Sequence, residues 1–138
     1  MAVSLYSMLD APQTSGGGPT LQRVRSFLAR VEQQDYVGAI MHFYHADASM
    51  QENMNEPRCG RDALLANEME IVLRYGNMPV RKVERFAVNG RLVFINWQFE
   101  IALPSGGRCL FDEIAMQVWD GDRIRSERFY YDPAQLGR

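Results

Sequence analysis

The chain has 138 residues, of which 46% are hydrophobic and 23% charged, with a formal net charge of -2, the make-up expected of one ordinary soluble globular domain. Its 15 Lys and Arg are interspersed with 17 Asp and Glu, so no basic stripe can neutralise a phosphate backbone or an anionic lipid surface, and neither nucleic acid nor membrane is expected as a partner. No segment approaches the roughly 20 apolar residues of a membrane span, and the first residues lack the basic start and apolar run of a secretory signal, which makes the cytoplasm the expected location.

Residues 1–19 end in Ser15-Gly16-Gly17-Gly18-Pro19 and read as a flexible arm, with one folded domain over 20–138. Behind Thr20 as N-cap, Leu21, Val24, Phe27, Leu28 and Val31 fall on one helical face. Asp35 caps a second, short helix on which Tyr36, Ile40 and Phe43 or Tyr44 recur before the chain turns at Asp47. A third helix runs from Arg61 to Arg74 and stops before Gly76. The period then changes. Asn89-Gly90 and Asp120-Gly121 are hairpin dipeptides, and Pro104-Ser105-Gly106-Gly107 is a further turn, so four antiparallel strands are expected near 80–88, 91–102, 108–119 and 123–131. Helices first and a meander afterwards predict an α+β fold, with three helices packed on a curved antiparallel sheet.

On the second of these strands Val93, Ile95, Trp97, Phe99 and Ile101 point one way, while Asn96, Gln98 and Glu100 point the other. Taken alone, this alternation puts the apolar face on the core and the amides in water. The alternative puts the apolar face against a second subunit and turns the polar residues into a cavity. Cys59 and Cys109 are far apart and have no metal-ligand spacing, and His42 and His45 lack acidic or thiol partners at such spacing. No metal and no cofactor is expected.

The segment from Asp47 through Pro57 to Gly60-Arg61-Asp62-Ala63, followed by Trp119-Asp120-Gly121-Asp122-Arg123-Ile124 and Phe129-Tyr130-Tyr131-Asp132, resembles the SnoaL-like branch of the nuclear-transport-factor-2-like superfamily over roughly residues 20–135. That resemblance implies a cone-shaped, cystatin-like α+β fold around one apolar pocket. Within the superfamily the chain looks most like limonene-epoxide-hydrolase-like members, which share Gly-Arg-Asp-Ala and Ala-Leu-Pro-x-Gly. Their charged triad is missing: the matching positions read Asn96-Trp97-Gln98 and Phe129, and two water-holding positions read Met50 and Glu52. Epoxide hydrolysis by that triad is therefore excluded.

Ketosteroid isomerases of the same superfamily imply a different site, with Glu52 in the place of their general base and Asn96 and Gln98 as hydrogen-bond donors to a developing enolate. For Glu52 the simpler reading is a strand residue in water, or a partner for Arg58 or Arg61. The resemblance further implies that Met50, Glu100, Phe111, Glu113, Glu127, Phe129 and Tyr131 contact the substrate. It also puts Trp97 and Phe99 at the centre of a homodimer interface. Asp132, just past the last strand, is expected to accept backbone amides at the C-terminal turn. The expected activity is cofactor-free acid–base chemistry beside a carbonyl, of cyclase or isomerase type, on a small apolar or polycyclic ligand. The alternative is a non-catalytic ligand-binding or dimerisation module of the same fold.

Overall fold

Helix α1, Leu21–Glu32, begins where Thr20 Oγ1 accepts the Arg23 amide at 3.0 Å, and it buries the stripe Val24, Phe27, Leu28 and Val31. These coordinates come from a computed structural model that describes residues 17–76 and 78–137. Most of the expected N-terminal arm, residues 1–16, lies outside the described residues. Its end is not loose, because Gly17 O accepts the Gly121 amide at 2.9 Å and a side chain at Gly18 would collide with Gly90 O. The chain start is thereby tied to both Gly-containing hairpin tips.

Helix α2, Tyr36–Phe43, is capped by Asp35, whose Oδ1 accepts the Gly38 amide at 3.0 Å. The chain does not turn at Asp47. It passes directly into strand β1, Tyr44–Glu52, which pairs briefly with β2, Arg58–Cys59, before helix α3, Arg61–Tyr75. A sequence of Tyr-His-Ala-Asp-Ala-Ser-Met-Gln-Glu is poor in β-branched residues, so its strand character comes from its neighbours. Then follow β3 Phe86–Asn89, β4 Leu92–Ala102, β5 Arg108–Asp120 and β6 Arg123–Tyr130, closed by a short 3-10 turn, Pro133–Leu136. In that turn Asp132 Oδ1 accepts the Ala134 amide at 2.9 Å, the backbone role expected of it.

The six strands stand in the order β2-β1-β6-β5-β4-β3. All neighbours are antiparallel except β1 and β6, which run parallel, so the sheet is mixed rather than antiparallel throughout. The hairpin turns sit where Gly90 and Gly121 take φ of 60° and 63°. The first expected strand is shorter than 80–88. Residues 80–85 follow β4 through one isolated bridge, Val80 to Phe99, and isolated backbone bonds such as Asn96 N to Arg85 O at 3.0 Å. Four charged side chains among them leave that edge irregular.

Three helices on a curved, unclosed mixed sheet make this an α+β fold of the expected kind. The helices cover the sheet face that carries Val93, Ile95 and Trp97, all 3% exposed or less. Phe27 is the hub of this layer. Its ring meets those of Phe43, Tyr44, Trp97 and Trp119 edge-on, with centroids between 5.4 and 6.2 Å apart.

The homodimer expected through Trp97 and Phe99 is thereby corrected. Trp97 is buried beneath Phe27 within its own chain, and Phe99 packs on Trp97 and Tyr36. That face has already been used. Removing the hub ring by Phe27→Ala should cost about 3–5 kcal/mol of unfolding free energy in a urea titration; a loss below about 1 kcal/mol would mean that the four rings close the gap themselves.

Candidate functional site

The register of β4 against β5 decides which side chains meet. Trp97 pairs with Glu113, Phe99 with Phe111 and Ile95 with Ala115, and directly paired residues share a sheet face. Glu113 therefore stands beside the indole of Trp97, on the side of the helices. In the next pair, Gln117 of β5 faces Glu127 of β6, and Ala115 faces Phe129. Trp97, Phe99, Phe111, Glu113, Glu127 and Phe129, with Tyr44 and Met50 of β1, line a cavity of about 590 Å³ between sheet and helices.

Seven of the expected site residues are on its wall: Met50, Glu52, Phe111, Glu113, Glu127, Phe129 and Tyr131. Asn96, Gln98 and Glu100 are not. They pair with Ile114, Asp112 and Leu110 on the opposite sheet face, and this corrects the role expected for Asn96 and Gln98 as donors to an enolate in the pocket. Asn96 Nδ2 donates instead to Asp112 Oδ1 at 2.6 Å and to the Glu113 carbonyl at 3.1 Å. Both amides border a smaller depression of about 200 Å³ among Arg81, Lys82, Glu84 and Arg85. Glu100 lies between Arg81 and Arg108. The physical reason is the one-residue alternation of a strand: with Trp97 on the core, its two neighbours must point away.

Glu52 is at the cavity wall, but Arg58 holds it. Nη1 and Nη2 of Arg58 both donate to Glu52 Oε2 at 3.3 Å, with the two side chains 37% and 29% exposed. The partner foreseen as the simpler reading is present.

Deeper in the cavity lies a chain of buried groups that the sequence reading did not single out as a unit. Trp119 Nε1 donates to Gln117 Oε1 at 2.9 Å, Gln117 Nε2 donates to Glu127 Oε2 at 2.5 Å, and the Tyr44 hydroxyl donates to Glu127 Oε1. Indole is only a donor, so it fixes which end of the Gln117 amide faces Glu127. Trp119 and Gln117 are fully buried, and their places on alternate positions of one strand, two from each other and opposite Glu127, were the available signal.

Burial pushes the Glu127 carboxyl up to about 7, against the Tyr44 and Gln117 hydrogen bonds, which pull it down. Glu113 is 9% exposed, and no hydrogen bond reaches its carboxyl among the described residues. Burial first, then the charges of Glu127, Glu52, Glu68 and Asp112, push it well above the usual carboxylate range. Burial also raises Glu68 on α3, another residue of the cavity wall. Two carboxyl groups on neighbouring strands are thus both shifted toward their protonated forms, a pattern found where acid–base chemistry is done. Among the described residues no group of three or more His, Cys, Asp or Glu is arranged to hold a metal ion.

No family model matches the chain, and no curated protein matches it either. Solved structures do. A Mesorhizobium loti protein classed as a SnoaL-like polyketide cyclase is 25% identical, with a TM-score of 0.68 over 80% of this chain and 97% of that one. A Burkholderia pseudomallei NTF2-like protein of unknown function is 13% identical, with a TM-score of 0.71 over 84% and 92% of the two chains. TerC, crystallised with polyporic acid, is 12% identical, with a TM-score of 0.71 over 86% and 98%. The architecture is therefore that of a nuclear-transport-factor-2-like domain with an internal cavity. The chain shares this fold with SnoaL-like and nuclear-transport-factor-2-like proteins.

A carboxyl whose folded value is raised favours the folded state while it is protonated in both states, and that advantage is lost as pH rises from the unfolded value toward the folded one. Stability to urea should accordingly fall between about pH 4.5 and about pH 7 through Glu127, with Glu113 adding a loss of the same sign as pH rises above the usual carboxylate range. Glu127→Gln and Glu113→Gln should each flatten this slope; unchanged slopes in both variants would show that neither group is held protonated by the fold.

Proposed function

We propose that the cavity is the active site of a small-molecule enzyme of the SnoaL-like kind, moving protons next to a ketone without a cofactor. The observation that carries this reading is Glu127: a buried carboxyl on the cavity wall, brought near neutrality by burial and oriented by Tyr44 and Gln117. A base is most useful when its pKa lies near the working pH. In this reading Glu127 takes the proton from carbon and can return it one or more atoms away. Arg58, held by Glu52 at the same cavity, meets the negative charge that develops on the carbonyl oxygen. Glu52 thus orients the cation rather than acting as the base. Ile95, Trp97 and Phe99 occupy the cavity side of β4, so charged triad chemistry has no place on that strand. The volume and the aromatic walls suit a flat carbonyl compound, and the polyporic acid bound to TerC makes it a first molecule to screen.

The test needs no knowledge of the natural substrate. Wild type in D2O with 1-tetralone, followed by NMR, should exchange the protons beside the ketone faster than buffer. Glu127→Gln should lose about a hundredfold or more of that rate. Exchange at the buffer rate with tight ketone binding would replace the catalytic reading by the binding one.

A specific observation supports association as a second property. The sheet face away from the helices exposes Phe94, Leu110, Ile114 and Tyr130 by 37–42%, and β4 to β6 place them on one surface. We place the homodimer contact on this face, opposite to Trp97. Ile114→Asp should turn a dimer into single chains in size-exclusion chromatography with light scattering; a wild type that already runs as a single chain would remove the association reading.

A further inference from the structure

Glu113 has no part in the chemistry just described, yet it is the most unusual group in the cavity. It is nine-tenths buried, it faces the cavity, and no hydrogen bond reaches its carboxyl among the described residues. Buried carboxyls are ordinarily paired or hydrogen-bonded, because an unpaired one loses its hydration without replacement. Its surroundings are acidic. Glu127, Glu52, Glu68 and Asp112 all act on it with like charge, and Arg58 is already engaged by Glu52.

An empty carboxyl of this kind can serve two sorts of ligand. As a neutral acid it could donate to a ligand oxygen that becomes an anion during reaction. The surrounding carboxylates count against that use, since the repulsion that disfavours a charge on Glu113 would equally disfavour an oxyanion beside it. A ligand cation gains from the same field. It would replace the Glu113 proton, and the released carboxylate would become its counter-ion.

The side walls fit a cation as well. The indole of Trp97 is the direct cross-strand neighbour of Glu113, and Phe111 stands two residues away on the same face, paired across to Phe99. The Phe111 and Tyr131 rings meet edge-on at 4.9 Å. An ammonium group inside such walls is attracted by the ring faces and has a carboxylate beneath it.

Resting on the reading of this cavity as the working site, we propose that its ligand carries a basic nitrogen, bound as an ammonium group against Glu113 between Trp97 and Phe111. The substrate class is then an apolar, flat carbonyl compound with an amine that reaches Glu113, and carboxylate ligands are turned away.

Three probes of one shape and different charge test this: 1-naphthylmethylamine, 1-naphthylmethanol and 1-naphthoate, each titrated into the full chain by calorimetry near neutral pH. The amine should bind about tenfold or more tighter than the alcohol, with naphthoate weakest, and its binding should release protons in buffers of different ionisation enthalpy. Glu113→Gln should bring the amine to the affinity of the alcohol while the alcohol changes by less than about threefold. Equal affinity of amine and alcohol, a preference for naphthoate, or no binding of any probe at millimolar concentration would each overturn the proposal. The wild-type series decides the matter even if the variant fails to fold. Occupancy and turnover are read separately: an amine preference without proton exchange on ketones would sink the catalytic reading alone, and exchange without an amine preference would sink this one alone.

Discussion

Everything at the site depends on one cross-strand pair. With Trp97 opposite Glu113, the face of β4 that packs on Phe27 is also the face on which β5 and β6 present Glu113, Gln117 and Glu127. Core and cavity are therefore continuous. The aromatic layer that stabilises the helix–sheet contact is the same layer that withholds water from two carboxyl groups, and the altered proton affinities follow from that exclusion. A slip by one residue would put Asn96 and Gln98 inside and send Trp97 to the surface, giving a different molecule.

Much of the architecture was legible. Thr20 and Asp35 are helix caps whose geometry matches the sequence signal, and Asn89-Gly90 and Asp120-Gly121 turn where the dipeptides say they should. β1 was harder to read, because Tyr44–Glu52 has neither alternation nor β-branched residues and is held by a parallel partner 77 to 80 residues away in the chain. The site was half legible for a related reason. The apolar alternation of β4 pointed to the core and did so correctly, whereas the resemblance to the family turned Asn96 and Gln98 into the cavity when they stand on the opposite sheet face. Alternation within a strand is local information; which residue of the next strand lies opposite is not. That is why Glu113 and Glu127 were assigned to the cavity while the amides placed beside them were not its neighbours.

The charged groups of the cavity differ in kind. Glu52 and Arg58 are partly open to water and neutralise each other. Glu113 and Glu127 have no cation partner among the described residues, and neutral donors alone satisfy Glu127. The cavity thus holds one balanced pair beside two buried carboxyl groups. The fold by itself fixes none of this, since it supports many functions and the polarity of the cavity is set by individual side chains.

The chain from Trp119 through Gln117 to Glu127 has a direction. Trp119 donates to Gln117, Gln117 donates to the carboxylate, and Tyr44 donates to it from the other side. When Glu127 gains a proton, that proton needs an acceptor, and the Tyr44 oxygen is the nearest group able to act as one. The phenolic hydrogen must then swing away, toward the cavity. Protonating Glu127 would thus reverse the polarity of a neighbouring hydroxyl and offer a ligand a donor that was absent a moment earlier, so the arrival of one proton would change which functional groups the pocket can pair with.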